Sequence, residues 1–289
     1  MGLLLDIVVY GAVQSGIYVL LSLGFSLTFG VAGIFNLAHG TFYMGAAYLF
    51  YSCMNSLGLG LSLSLVVSVT GMGLLALIIQ KWFINPVIHS GISVMIITVA
   101  IANFLEQVVL CTYGPVDRNL NSFIDKKLLL LGTVSIDAQR MLALGVSIVL
   151  LAALYIFISK TKPGRAILAV AQDREGAIFV GIDPLKVFFL VIFIAAILAG
   201  IAGDFIAPTI GARPDMWLKP LTMCFAVVIL GGLGSLTGTV LAALIIGYSE
   251  VIVSFALSSY MSELVPFVII LIVLAFKPSG LMPARQSQT

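Results

Sequence analysis

The sequence predicts an all-α, polytopic integral membrane protein with about eight transmembrane helices, two of the segments broken or re-entrant. Three observations carry that class. Hydrophobic residues make up 61% of the 289 residues and charged residues 9%, at a mean hydropathy of +1.19, whereas about a quarter of the residues of a soluble domain are charged. Apolar runs recur at about 20 residues, the length that crosses a hydrocarbon core about 30 Å thick. Lipid offers backbone polar groups no partner, which selects helices as the spanning elements.

The regular runs are 7–29, 61–79, 92–112, 141–158, 187–208 and 265–276. Two further regions are interrupted. Residues 35–56 open with the polar, Gly-containing NLAHG, and residues 224–257 contain GGLGSLTG. Irregular backbone at membrane depth is tolerated only where protein or a water-filled cavity satisfies it, so each region reads as a broken or re-entrant helix. The first Lys or Arg is Lys81. The N-terminus therefore lacks the positive region of a cleavable signal peptide, and the first apolar run is expected to stay in the mature protein. Residues 1–289 read as a single transmembrane domain.

Cys53, Cys111 and Cys224 are widely separated, with no CxxC and no metal-ligand spacing; they read as small core residues and no metal site is expected. A net charge of +2 with no basic patch beyond loop anchoring implies no nucleic-acid partner.

One polar stretch, residues 159–186, stands between two apolar runs and holds five of the 14 Lys and Arg. Ile167, Leu168, Val170, Ala171, Ile178 and Phe179 give it an apolar face at helical spacing. Pro163 and Gly164 mark its start, Gly181, Asp183 and Pro184 its end, with no second breaker pair between them. The expectation is one short surface helix, either docking a partner or lying on lipid. Placing Lys81, Lys160, Lys162, Arg165, Arg174, Lys186, Lys277 and Arg285 on one side leaves Arg118, Lys126, Lys127, Arg140, Arg213 and Lys219 on the other. The positive-inside rule then puts the surface helix and the C-terminus in the cytoplasm. The loop 114–140 faces the other side and mixes Asp117, Asp125 and Asp137 with its basic residues, as a partner-contacting loop or a plain connection would.

Charges inside spans are costly and usually face a bundle interior or cavity. Glu106, Asp204 and Glu250 are the acids in or near the ends of apolar runs. Asp204 follows Ala196, Gly200 and Gly203, a small-residue stripe that lets two helices pack closely. It meets solute, pairs with a basic residue such as Arg213, or sits near the outer interface; structural pairing is favoured. Glu106 has Asn103 and Gln107 as neighbouring hydrogen-bond candidates, and His39 reads as a hydrogen-bonded helix-end residue. Asn36, His39, Gly40 and Thr41 in the first half, and Gly231, Gly232, Gly234 and Ser235 in the second, interrupt corresponding apolar segments, a pattern that points to a transport site between repeats. Tight packing explains the glycines equally well.

Four blocks, NLAHGTFYMGAAY at 36–48, GRAILAVAQDREGAIFVGI at 164–182, AVVILGGLGSLTG at 226–238 and KPSGLM at 277–282, resemble in order and spacing those of the membrane permeases of branched-chain amino acid ABC importers, the LivH and LivM type, with LivH the nearer. The resemblance covers nearly the whole chain. It implies that Glu175, Gly176, Ala177 and Gly181 match an E-A-A-x-x-x-G core that sits in a groove of an ATPase subunit. Gly164, Arg165, Asp173, Arg174, Glu175, Ala177, Ile178, Phe179, Gly181 and Ile182 then form the ATPase-coupling surface, the charged ones pairing with the ATPase and Ile178, Phe179 and Ile182 anchoring it. Gly176 departs from the core's middle Ala and weakens local helicity by about 0.5 to 1 kcal/mol. Met223 stands where many family members carry a Lys, so no role of that Lys is carried over.

The chain has no HExxH, GxSxG or P-loop, so it is expected not to be an enzyme. The resemblance implies a permease subunit in a bacterial-type cytoplasmic membrane, moving branched-chain amino acids, or urea and short amides in other members. Its partners would be a second, LivM-like permease, two cytoplasmic ATPases that use ATP and Mg, and an extracytoplasmic solute-binding protein. The residues alone leave open an ion-coupled secondary transporter or channel, with Glu106 or Asp204 carrying the ion, and a structural membrane protein.

Overall fold

The computed structural model describes residues 2–124, 126–130, 134–277 and 280–282. Asp125, Arg285 and two residues of the KPSGLM block, Pro278 and Ser279, lie outside the described residues. Helices α1 (Gly2–Ala32), α2 (His39–Asn55) and α3 (Leu61–Ile79) come first. A π-helical turn, Gln80–Ile84, and a 3-10 turn, Asn85–Val87, close α3 where Pro86 removes a backbone donor. Then follow α4 (Gly91–Tyr113), strands β1 (Lys127–Leu130) and β2 (Val134–Asp137), and α5 (Ala138–Lys160). The second half holds α6 (Lys162–Gln172), α7 (Arg174–Phe179), α8 (Pro184–Ile210), α9 (Leu218–Gly231), α10 (Leu236–Ala256), α11 (Ser259–Ser262) and α12 (Val265–Phe276).

Among the described residues, six helices are long and apolar enough to cross a membrane: α1, α3 with its closing turns, α4, α5, α8 and α10. Of the other helices in the expected spans, α2 has 17 residues, α9 has 14 and α12 has 12. The fold is helical as expected, apart from the antiparallel β1–β2 hairpin that pairs Lys127 with Asp137. The interrupted region 224–257 is not one broken helix. Gly232 and Gly234, at φ +101° and +77°, reverse the chain, so α9 and α10 run antiparallel with Gly231 against Gly238 at one end and Lys219 against Glu250 at the other.

The core has the composition lipid demands. Helix α1 runs through the middle, packed on α8, α10, α5 and α9, and its small polar residues Ser15, Ser22 and Ser26 face inward. Leu63, Val66, Leu74, Ile92, Ile96 and Phe104 of α3 and α4 face outward. Without water to drive helices together, close packing and internal hydrogen bonds hold such a bundle. The stripe on α8 works this way: a Cβ on Gly200 would lie 3.3 Å from that of Ala46, and Gly203 lies against the Tyr43 backbone.

Helix α2 starts beside the middle of α1, not at its end. His39 Nε2 meets the Leu21 carbonyl at 2.9 Å and its ring approaches Gly24, about 12 Å along the axis from Ala32 at 1.5 Å per residue. The segment 33–38 runs back along the bundle, its Phe35 stacked on Phe25 at 6.2 Å and its Leu37 N–H donating to Thr98 at 3.1 Å. Helix α9 starts at the same level, because a Cβ on Gly40 would lie 2.6 Å from the Trp217 carbonyl oxygen. The first turns of two oppositely directed helices therefore meet inside the molecule.

The segment that follows α4 packs against the core at Phe123. Phe123 stacks on Phe205 at 4.7 Å and on Phe50 at 5.4 Å. Buried Gln139 accepts from the Phe123 N–H at 2.9 Å and donates to the Phe205 carbonyl at 2.8 Å. At this end Arg118 pairs in a bridge with Ala212 and Arg140 lies over the Tyr10 ring at 5.3 Å. Helices α6 and α7 occupy the opposite end.

Candidate coupling surface and permeation cavity

The polar stretch folds as two helices, not one. Thr161 caps α6, accepting from the Gly164 N–H at 3.1 Å, and Pro163 stands in its first turn. Ile167 and Val170 are buried while Lys162 and Arg165 are exposed. Asp173, with φ −151° and ψ 104°, ends α6 and caps α7, accepting from the Gly176 N–H at 2.9 Å. An extended residue whose carboxylate takes the N–H three residues on is a standard helix start. Gly176 fits that cap, because a side chain there would strike the Asp173 carboxylate. A side chain at Gly176 would require the Asp173 carboxylate to shift within its cap.

Ala177 is the buried residue of α7, whereas Phe179 is 89% exposed, with Val180 and Ile178 also outward. Gly181, at φ +83°, turns the chain, and the Ile182 N–H returns to the Ala177 carbonyl at 3.0 Å. Ile182, expected in the outward apolar face, is half-buried and packs against the core, whereas Val180 is exposed. Arg165, Arg174 and Glu175 point outward without an ion pair among the described residues.

Among the described residues, cavities open at both ends of the bundle, one of about 400 Å³ beside Lys126, Lys127 and Asp137 and two that bear on the candidate residues. The one beside α6, about 390 Å³, is lined mainly by apolar residues of α5, α6 and α10, including Leu151, Leu168 and Val240, and it reaches Gly234, Ser235 and Thr237. The other, about 780 Å³, opens at the far end between α1, α8, α9 and α10. Its floor holds a polar cluster. Glu250, almost buried, pairs with Lys219 at 2.7 Å and accepts from Gln14 at 3.3 Å and from the Tyr18 hydroxyl. Gln14 also donates to Tyr18 at 2.7 Å. Such charge-assisted bonds contribute about 1.5 to 3 kcal/mol each. At its rim Arg213 grips Asp215 through Nε at 3.0 Å and Nη2 at 2.7 Å, which holds the Asp215 carboxyl below its ordinary pKa.

The residues singled out from sequence divide between these places. Asn36, His39, Gly40 and Thr41 are buried and line neither of these two cavities; the Asn36 side-chain Oδ1 accepts from the Ala38 N–H at 3.1 Å and the Thr41 hydroxyl donates to the Ala38 carbonyl at 2.7 Å. Gly231 and Gly232 are buried in the α9–α10 turn, and Ser235 caps α10 through the Gly238 N–H at 3.2 Å. Glu106 accepts from Trp217 Nε1 at 2.9 Å, not from Asn103, which donates to the Val99 carbonyl. Asp204 does not pair with Arg213, whose partners are Asp215 and Asp117. It is fully buried and accepts from the Ser68 hydroxyl of α3. Glu250 is visible in the sequence as an acid near the end of an apolar run, whereas its neighbours Lys219, Tyr18 and Gln14 are brought to it only by the fold. Pro220, in the first turn of α9, was the available signal that a helix begins beside Lys219.

The arrangement is a helical bundle with an exposed apolar helix at one end and a charged cavity at the other. The model of the family described as the branched-chain amino acid transport system permease component matches residues 7–274. The chain belongs to this permease family. It is 27% identical over 287 residues to the high-affinity branched-chain amino acid transport system permease protein LivH of Salmonella typhimurium, covering 94% of this chain and 93% of that one. The high-affinity branched-chain amino acid transport system permease protein BraD of Pseudomonas aeruginosa is 23% identical over 288 residues, covering 95% of this chain and 94% of that one. LivM of Escherichia coli is 26% identical over 302 residues, covering 94% of this chain and 69% of that one. Among solved structures, PsaBC from Streptococcus pneumoniae in complex with Fab shares the fold, with a TM-score of 0.55, 14% identity, and 96% and 92% of the two chains covered. The permease is thus a multi-pass membrane protein of LivH-like kind.

Proposed function

We propose that this permease is the membrane subunit of an ATP-driven importer for branched-chain amino acids or similar small amino acids, residing in a bacterial-type cytoplasmic membrane. A second, LivM-like permease completes the translocation path, an extracytoplasmic solute-binding protein delivers solute at the charged cavity, and two cytoplasmic ATPases, which hold the ATP and Mg, engage α6 and α7. Likeness to both LivH and LivM supports a paired permease.

The observation that carries the reading is the outward Ile178, Phe179 and Val180 on a helix capped by Asp173. An apolar helix of this kind seeks a groove in a partner, and Arg165, Arg174 and Glu175 around it supply orientation. ATPase closure would move α7 and, through Ala177 and α8, bias the bundle between outward-open and inward-open states.

The experiment is replacement of Phe179 by Ser in the assembled transporter. The variant is expected to insert normally while the ATPases fail to co-purify and solute-stimulated hydrolysis falls. Unchanged co-purification and hydrolysis would remove α7 as the coupling element.

A further inference from the structure

We propose that Lys219 and Glu250 form a recognition site for a zwitterionic, aliphatic amino acid, Lys219 receiving the carboxylate and Glu250 the ammonium. The inference rests on the importer reading above and adds the site and the groups it reads.

The cluster has the chemistry of a zwitterion site. Glu250 is 5% exposed, yet it sits on the floor of an open cavity of about 780 Å³. Tyr18 and Gln14 fix its carboxylate, so a second cation reaching it finds an acceptor already oriented. Lys219 closes the pair at 2.7 Å with a side chain 49% exposed. Its long stem swings out at little cost, whereas Glu250 stays in place. A zwitterion entering between them exchanges one ion pair for two and leaves neither protein charge without a partner, the condition under which burying charge is tolerated.

Two features select the solute further. Lys219 lies in the first turn of α9, whose N-cap residue Trp217 makes no side-chain cap bond, so the positive end of the helix adds to the field on a carboxylate. Discontinuous helices with inward N-termini hold substrate carboxylates in this way in transporters. Beside the charges, Ile17, Leu21, Ile206, Met216 and Val251 line one part of the cavity and suit an aliphatic side chain, while Arg140, Thr209, Arg213, Asp215 and Glu263 line the remainder.

The test uses protection of a cysteine by small molecules. Ser254→Cys, on the cavity wall one turn from Glu250, is introduced into the full transporter in membrane vesicles, with exposed Cys111 replaced by Ser. Labelling by a small hydrophilic thiol reagent is followed with L-leucine, with 4-methylpentanoate, which lacks the ammonium, and with 3-methylbutylamine, which lacks the carboxylate. L-Leucine is expected to protect at concentrations at least about tenfold below either analogue. Glu250→Gln should raise the half-protecting concentration of L-leucine about tenfold and abolish its advantage over 4-methylpentanoate. Lys219→Gln should instead abolish the advantage over 3-methylbutylamine. A merely structural ion pair would lower the amount of inserted protein without changing which analogue competes. If Glu250→Gln does not insert, the half-exposed Lys219 supplies the reading. Absence of L-leucine protection, or both discriminations surviving in the variants, overturns the site even where ATP-driven leucine uptake proceeds. Protection with uptake that needs no ATP would keep the site and overturn the importer reading.

Discussion

Gly231 of α9 and Gly238 of α10 touch backbone to backbone: a Cβ on Gly231 would lie 2.6 Å from the carbonyl carbon and oxygen of Gly238. This contact closes the turn that sends α10 back along α9. The contacting atoms belong to rigid backbone, so a larger residue forces the helices apart. Gly238→Val is expected to destabilise the permease by about 1 to 3 kcal/mol or more, read as a lowered thermal midpoint in detergent. An unchanged midpoint would show that the hairpin does not depend on this approach.

Asp173 starts α7, and loss of an N-cap costs about 1 kcal/mol locally. Asp173→Ala should therefore leave the inserted permease intact and lower ATPase co-purification several-fold, while Asp173→Asn, which keeps the acceptor, restores it. Equal co-purification in all three would show that the cap does not set the docking surface.

Asp204 is held by Ser68 across α3 and α8 and lines neither the cavity beside α6 nor the charged one. Removing the donor leaves a buried carboxyl without a partner, at a cost of about 1 to 3 kcal/mol. Ser68→Ala should lower the thermal midpoint, couple non-additively with Asp204→Asn, and leave solute selectivity unchanged. A selectivity change with normal stability would place Asp204 on the pathway instead.

The Arg213–Asp215 pair gives a pH dependence with a definite sign. Hydrogen bonds from Arg213 lower the Asp215 carboxyl's pKa in the folded chain, so its contribution is present above the unfolded value of about 3.9 and lost as pH falls through the lower folded one. Wild type and Asp215→Asn should differ in midpoint by a constant amount between about pH 5 and 8 and converge in stronger acid. Convergence already at neutral pH would mean that the pair does not form. Half-exposure of both partners keeps the effect small.

Much of the bundle is legible in the sequence because lipid imposes one rule on it. Apolar length marks α1, α3, α4, α5 and α8 directly, and α12 over 265–276. The interruptions at NLAHG and GGLGSLTG are equally visible, but apolarity does not say whether a break bends a helix or reverses it. Gly232 and Gly234 decide that through positive φ, a property of the backbone that composition leaves open. Asp173 reads in sequence as a charge on a continuous helix, because a single Asp is no breaker and the residue three positions on is Gly176 rather than the Glu or Gln that completes a capping box. The β1–β2 pairing is not legible because its strands are only four residues each in an otherwise helical chain. Lys219 and Glu250 are 31 positions apart, and only the antiparallel packing of α9 on α10 brings them together.

The central claim is that solute crosses this permease at the expense of ATP hydrolysed by its partners. The most direct measurement is L-leucine uptake into proteoliposomes holding the permease, its second permease, the ATPases and the solute-binding protein, with ion gradients collapsed by ionophores. Uptake is expected to require ATP on the side bearing α6 and α7, and to persist without any gradient. Uptake driven by a proton or sodium gradient in the absence of ATP would contradict it.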